Sequence, residues 1–189
     1  MRKAISLILI MAGLSMAFFP QAASTYSDME QRHLLDKWKE QEFKEMDLWD
    51  ERAEGKKTEE NLLGQLTIPK IGLEMPIVEG ATEANLHSAS AHITGTSQIG
   101  KVGNAAIAGH RSRQFGRKFN RLNELETGDV IQVATAEGTF SYRVTKKWIV
   151  TPEQVQVLDK EGSVRLLTLV TCHPVDQPTK RLIVKAEQL

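Results

Sequence analysis

The 189-residue chain has a single cysteine, Cys172, and no net charge at pH 7, and it shows no internal repeat and no low-complexity tract. One thiol excludes an internal disulfide framework, so a packed core must supply the stability. Acidic and basic residues balance at 24 each, which leaves no global basic surface, and a nucleic-acid partner is not expected. The charge is unevenly spread, however. Residues 28–61 carry twelve acids and seven bases, whereas residues 62–189 carry fifteen bases and twelve acids.

Arg2-Lys3 precede an uncharged, mostly apolar run from Ala4 to Phe19, the layout of an export signal. Sixteen residues at ~1.5 Å rise span ~24 Å, short of a ~30 Å hydrocarbon core. Neither Ala22 nor Ala23 ends a stretch with small residues at both the −3 and −1 positions of a cleavage site. Residues 1–23 are therefore read as a signal anchor or signal peptide, with the uncleaved anchor favoured. The positive flank then leaves the remainder outside the cytoplasm, as a single-pass protein of the cell membrane with an extracellular domain. An unpaired thiol in that compartment is open to oxidation, so its presence asks for a chemical reason.

Residues 24–61 are expected to form a charged helix and linker. Ser27-Asp28-Met29-Glu30 matches a capping box, which predicts a helix start. Leu34, Leu35, Trp38, Met46 and Trp49 recur at mixed three- and four-residue spacings among charged residues. Two readings stand side by side: a solvated stalk, or a cover packed on the following domain. Gly55 to Asn61 is polar without apolar period, which puts a domain boundary near residue 61.

From residue 62 to residue 189 the pattern turns to β. Short strands are expected at Gln65–Pro69, at Met75–Gly80 after a turn at Gly72, and in the small-residue run Gly103–His110. Val130–Val133 and Thr139–Val150 read as a strand pair, Val164–Cys172 as a buried strand and Arg181–Ala186 as the last strand. Thr82–Ala91 predicts one or two helical turns, Phe119–Leu125 a short helix, and Pro152–Leu158 a loop or short turn. About eight short strands make this a mainly β domain, a closed eight-stranded barrel with short helices.

The chemistry is concentrated at strand ends. A lone cysteine on an apolar strand is, in isolation, a small core filler. Here two apolar strands each end on a reactive side chain, His110 and Cys172, and neighbouring strands lie only ~4.8 Å apart. A histidine beside a cysteine makes a nucleophile with a proton donor. Arg181, nine residues after Cys172 and opening the last strand, would lie beside it if these strands pair antiparallel, with fixed donors suited to a developing oxyanion.

Thr168-Leu169-Val170-Thr171-Cys172, then Arg181-Leu182-Ile183-Val184, together with Gly103-Asn104 leading to Ala108-Gly109-His110-Arg111, resemble the sortase family of Gram-positive cysteine transpeptidases. The resemblance covers about residues 62–189 and implies an eight-stranded barrel. It implies cleavage of an LPxTG-like sorting signal through a thioacyl intermediate, with transfer to an amine such as that of a peptidoglycan precursor. Carried over, Cys172 is the nucleophile, His110 the general acid and later base, and Arg181 the transition-state stabiliser. His92 in His92-Ile93-Thr94-Gly95-Thr96 resembles the family's H-x-P-G-T element, with Thr94 in place of proline. His92, Thr171 and His173 are the expected substrate-lining residues.

The short 174–180 loop and small size look most like class D, with classes A and E as alternatives. Asp47-Leu48-Trp49-Asp50 lacks the proline of a pilin-sortase lid. No cofactor and no metal is expected; Glu153, Asp159 and Glu161 read as solvated loop acids. Arg111, Arg113, Arg117, Lys118 and Arg121 form a basic run, read mainly as a solvated face. A papain-like hydrolase would place cysteine before histidine and on a helix, and a wall L,D-transpeptidase would follow its cysteine almost at once with arginine. A non-catalytic envelope-binding barrel is the remaining alternative, but it has no need of a thiol.

Overall fold

A computed structural model describes residues 26–39, 61–114 and 116–189. The apolar N-terminal run and the Asp47–Asp50 segment lie outside them, and among the described residues no helix is long and apolar enough to cross a membrane.

Eight strands close into one barrel: β1 (Leu62–Ile68), β2 (Leu73–Glu79), β3 (Ser90–His92), β4 (Gly103–Ala108), β5 (Val130–Thr135), β6 (Gly138–Val150), β7 (Arg165–His173) and β8 (Lys180–Gln188). Their order around the wall is β1-β2-β3-β4-β7-β8-β6-β5, with β5 returning to β1. Closure removes the unpaired edges that so short a set of strands would otherwise expose.

The expected mainly β, eight-stranded closed barrel is thus the fold. Alternation along β1 sends Leu66 and Ile68 into the core and leaves Gln65 and Thr67 toward the outside. Gly72 takes a left-handed φ of 60° at the tight turn into β2, where its N–H donates to Pro69 O at 3.0 Å. β6 is the longest strand at 13 residues and serves two neighbours, β5 and β8, with an irregular register between Val144 and Lys146. Tyr142, Phe119, Leu66, Met75, Ile77, Ile107, Leu167 and Leu169 are among the side chains that fill the interior.

Two pairs run parallel, β2 with β3 and β4 with β7. β4, all but its last residue buried, is made of small residues, and β7 beside it is the near-continuous apolar run expected of a parallel strand covered on both faces. Asn104 fastens this pair to the 155–159 segment: it accepts from Thr168 Oγ1 at 2.7 Å and donates to the carbonyls of Val157 and Asp159 at 3.2 Å.

The helical expectations are met with changes. Residues 83–88 form a short helix, α2 (Glu83–Ser88), capped by Thr82, whose Oγ1 accepts from Asn85 N at 3.2 Å. Phe119–Glu124 and Val155–Leu158 are 3-10 turns, and the first sends Phe119 and Leu122 into the core. Residues 26–39 are helical, and we denote them α1. Ser27 is not the cap its box predicted. Tyr26 is already helical, and the Ser27 hydroxyl donates to His87 O at 2.5 Å, across to the end of α2. Leu34 packs with Leu62 and Leu86 on Val78, Ala89 and Ala91, and Gln31 donates to Glu74 O at 3.2 Å. In this stretch the helix acts as a cover for the barrel wall.

Candidate active site

β4 and β7 keep strict parallel register from Gly103↔Arg165 to Ala108↔Val170. Two residues beyond the last pair stand His110 on one chain segment and Cys172 on the other. The segments stay together there because the Gly109 N–H donates to Val170 O at 3.0 Å and the Thr171 hydroxyl donates to Gly109 O at 2.7 Å. On the other side of β7, antiparallel β8 sets Cys172 opposite Arg181 and His173 opposite Lys180. Opposed Cα atoms in such a ladder are ~4.5–5.5 Å apart. One rim of the barrel therefore collects the thiol, the imidazole and the guanidinium.

Cys172 is a free, half-buried thiol. His110 is exposed at its edge, yet loss of water around the ring is the largest cause holding its pKa below the usual 6.5, with Lys118 and His87 pushing the same way. The ring is thus uncharged near neutral pH. Arg181 is half-buried, and its Nη1 donates to Lys180 O at 2.9 Å. A cleft of about 480 Å³ opens beside His110, walled by Leu86, His87, Ser112 and Lys118 and by Ser27 of α1. A larger hollow of about 650 Å³, between α1 and the β1–β2 region, touches none of the three reactive side chains.

The residues expected to line substrate fare differently. Thr171 is only 2% exposed and spends its hydroxyl on Gly109 O, so it ties the two strand ends together. His92 pairs with Ile107 in the antiparallel β3–β4 ladder, three residues or about 10 Å along β4 from His110, and is not brought into the group. Its buried ring sits instead in a partly exposed network, with Nδ1 2.7 Å from Glu79 Oε2 and Nε2 2.9 Å from Ser97 O and 3.0 Å from Thr96 Oγ1. Thr94, the departure from the proline pattern, donates to the same carboxylate at 2.7 Å, a bond proline could not make. His173 is half-buried next to the cysteine, with Nδ1 2.7 Å from Arg111 Nη1.

The basic run is not one solvated face. Arg117 pairs with Asp28 of α1, Arg121 with Glu124 at 2.7 Å, and the Lys118 ammonium meets His87 O. Arg111 turns inward and is 8% exposed. Sequence reasoning missed its separate fate; the available signal was its place directly after His110, where the chain is still held to the end of β7.

A model of the sortase domain matches residues 66–189. Sortase A of Bacillus anthracis is 34% identical over 126 residues, covering 67% of this chain and 59% of that protein. Sortase D of Bacillus subtilis is 31% identical over 129 residues, 67% of this chain and 63% of its own. The chain thus spans somewhat under two thirds of these relatives. Among solved structures, a Clostridium perfringens sortase D5 transpeptidase superposes with a TM-score of 0.69 at 27% identity, over 86% of this chain and 99% of that one. Sortase C1 of Streptococcus agalactiae gives a TM-score of 0.66 at 29% identity, covering 69% of each chain.

Proposed function

The chain belongs to the sortase family, and from that premise we propose that it is a membrane-anchored cysteine transpeptidase acting on LPxTG-like sorting signals of secreted proteins, with its barrel outside the cell. Cys172 is the nucleophile. His110, uncharged near neutral pH, takes the thiol proton as sulfur attacks the carbonyl carbon of the scissile peptide bond. The Arg181 guanidinium faces the oxyanion of the tetrahedral intermediate, where a permanent cation with a rigid fork of donors is most effective. Collapse breaks the C–N bond, the His110 imidazolium protonates the departing amine, and a thioester to Cys172 remains. An incoming amine, from a peptidoglycan precursor or a similar acceptor, then loses a proton to His110, forms the new amide and releases the thiolate.

The observation that carries this reading is the register at one rim: Cys172 opposite Arg181, and β4 aligned with β7 up to the residues just before His110 and Cys172. The short 174–179 segment and the near-complete overlap with a class D structure favour class D. The test is incubation with an LPxTG-like peptide and an amine. The wild-type chain should accumulate a thioacyl adduct on Cys172 and release the amide product. Cys172→Ala should do neither while keeping its melting transition, and undiminished turnover by that variant refutes the proposal.

A further inference from the structure

We infer that Arg111 is a positioning residue for the nucleophile: a buried guanidinium that grips the Cys172 carbonyl and the His173 imidazole and so fixes the strand end that carries the thiol. This rests on the proposed role of Cys172 and adds a second arginine to the site. Every nitrogen of the Arg111 guanidinium has a partner, and none of these is an anion. Nη1 donates to His173 Nδ1 at 2.7 Å and to Cys172 O at 3.4 Å, Nη2 to Asn123 Oδ1 at 2.7 Å, and Nε to Asn120 O at 3.4 Å. Among the described residues no carboxylate lies within ion-pair distance of it.

A cation at 8% exposure without a counter-ion is costly, because neutral acceptors do not repay the lost hydration in full. Burial accordingly pushes the guanidinium pKa down, and the one charge pushing it back up is that of Cys172.

The bond to His173 fixes a further detail. Guanidinium has only donors, so His173 Nδ1 must accept, and the ring proton sits on Nε2. His173 is therefore neutral in this arrangement, and burial, Arg111 and Lys180 all hold its pKa below the ordinary value. The positive charge next to Cys172 thus comes from an arginine that does not titrate, whereas His110 remains free to carry protons. Arg181 sits across the β7–β8 ladder from Cys172, whereas Arg111 reaches it from the β4 side.

The experiment pairs the His173 ring titration, followed by NMR, with thioacylation kinetics on an LPxTG-like peptide, on the full chain with Arg111→Gln and Arg111→Lys. Arg111→Gln should raise the His173 midpoint, because it removes a cation that holds it low, and should lower kcat about 10-fold with little change in KM. Arg111→Lys, which keeps the charge but not the fork, should leave the His173 midpoint near that of the wild type while kcat still falls. A folded Arg111→Gln chain with an unmoved His173 midpoint or an undiminished kcat overturns the inference. If Arg111→Gln does not fold, Asn123→Ala decides: it removes an exposed anchor of the guanidinium, and kcat must fall with KM little changed. Failure of thioacyl trapping in the wild-type chain with the His173 midpoint moving as expected counts against the transpeptidase reading, not against Arg111.

Discussion

Gly109 is the residue on which the position of His110 depends, and Gly109→Ala tests that dependence. A Cβ built there would lie 2.5 Å from Phe119 Cδ2, 2.6 Å from Cε2 and 2.7 Å from Cγ. Ordinary carbon contacts are ~3.5–4.0 Å, so about 1 Å of movement is required. The Phe119 ring cannot supply it cheaply. It is fully buried, and its backbone N–H is bonded to His110 O at 3.2 Å, so a displaced Phe119 pulls on the residue it should leave alone.

Overpacking of this kind costs about 1–3 kcal/mol, or a fall in Tm of about 2–4 °C per kcal/mol for a chain of this size. Catalysis should suffer more. Displacing a catalytic group by about 1 Å can cost about 100-fold in rate, and both Gly109 hydrogen bonds to β7 lie in the path of the strain. The assays are thermal melting followed by circular dichroism and single-turnover thioacylation. Phe119→Leu leaves a void and destabilises alone, but it should relieve the clash, so the double variant should be about 1–2 kcal/mol more stable than the sum of the singles. Wild-type melting together with wild-type thioacylation in Gly109→Ala, or equal damage in both backgrounds, refutes the reasoning.

Lys118→Gln removes a cation that helps hold His110 low, so the midpoint of the His110 ring-proton titration by NMR should rise; an unchanged midpoint contradicts the assigned cause. Because His110 and His173 both titrate below 6.5 when folded, the unfolded chain binds more protons just below that pH. Stability should be full above about pH 6.5, fall as the pH drops through it, and level off below the folded values. Replacing both by Asn should flatten the melting temperature between pH 7 and pH 5. Tyr142→Phe strips the Gly100 N–H of the hydroxyl that accepts from it at 2.9 Å in the core, which should cost about 1–3 kcal/mol in urea denaturation with an unchanged m-value.

The barrel was legible because its strands are short, alternating and punctuated, and because the β7 run is too apolar for a surface. The rim was legible for the same reason: strands that end on His110 and Cys172 place chemistry where rigid backbone meets solvent. β3 was not legible as a strand. Three residues have no period, and its parallel pairing of Ile77 with Ser90 is imposed by the closing wall. The burial of Arg111 was hidden too, since its acceptors come from residues 120, 123, 172 and 173, which no local pattern groups together. His92 misled for the opposite reason: the motif around it is plain, but its ring is committed to Glu79, Ser97 and Thr96.

The parallel pairing of β4 with β7 also bears on how such a site can diversify. Antiparallel neighbours joined by a hairpin would tie the spacing of imidazole and thiol to the length of the turn between them. Here the ladder sets that spacing, and the chain from residue 111 to residue 164 only has to leave the rim and return to the far end of β7. A loop at the rim such as 174–179, which carries none of these groups, is therefore free to lengthen, shorten or be exchanged with that of a relative. New peptide preferences can be grafted onto an alignment that the grafting does not disturb.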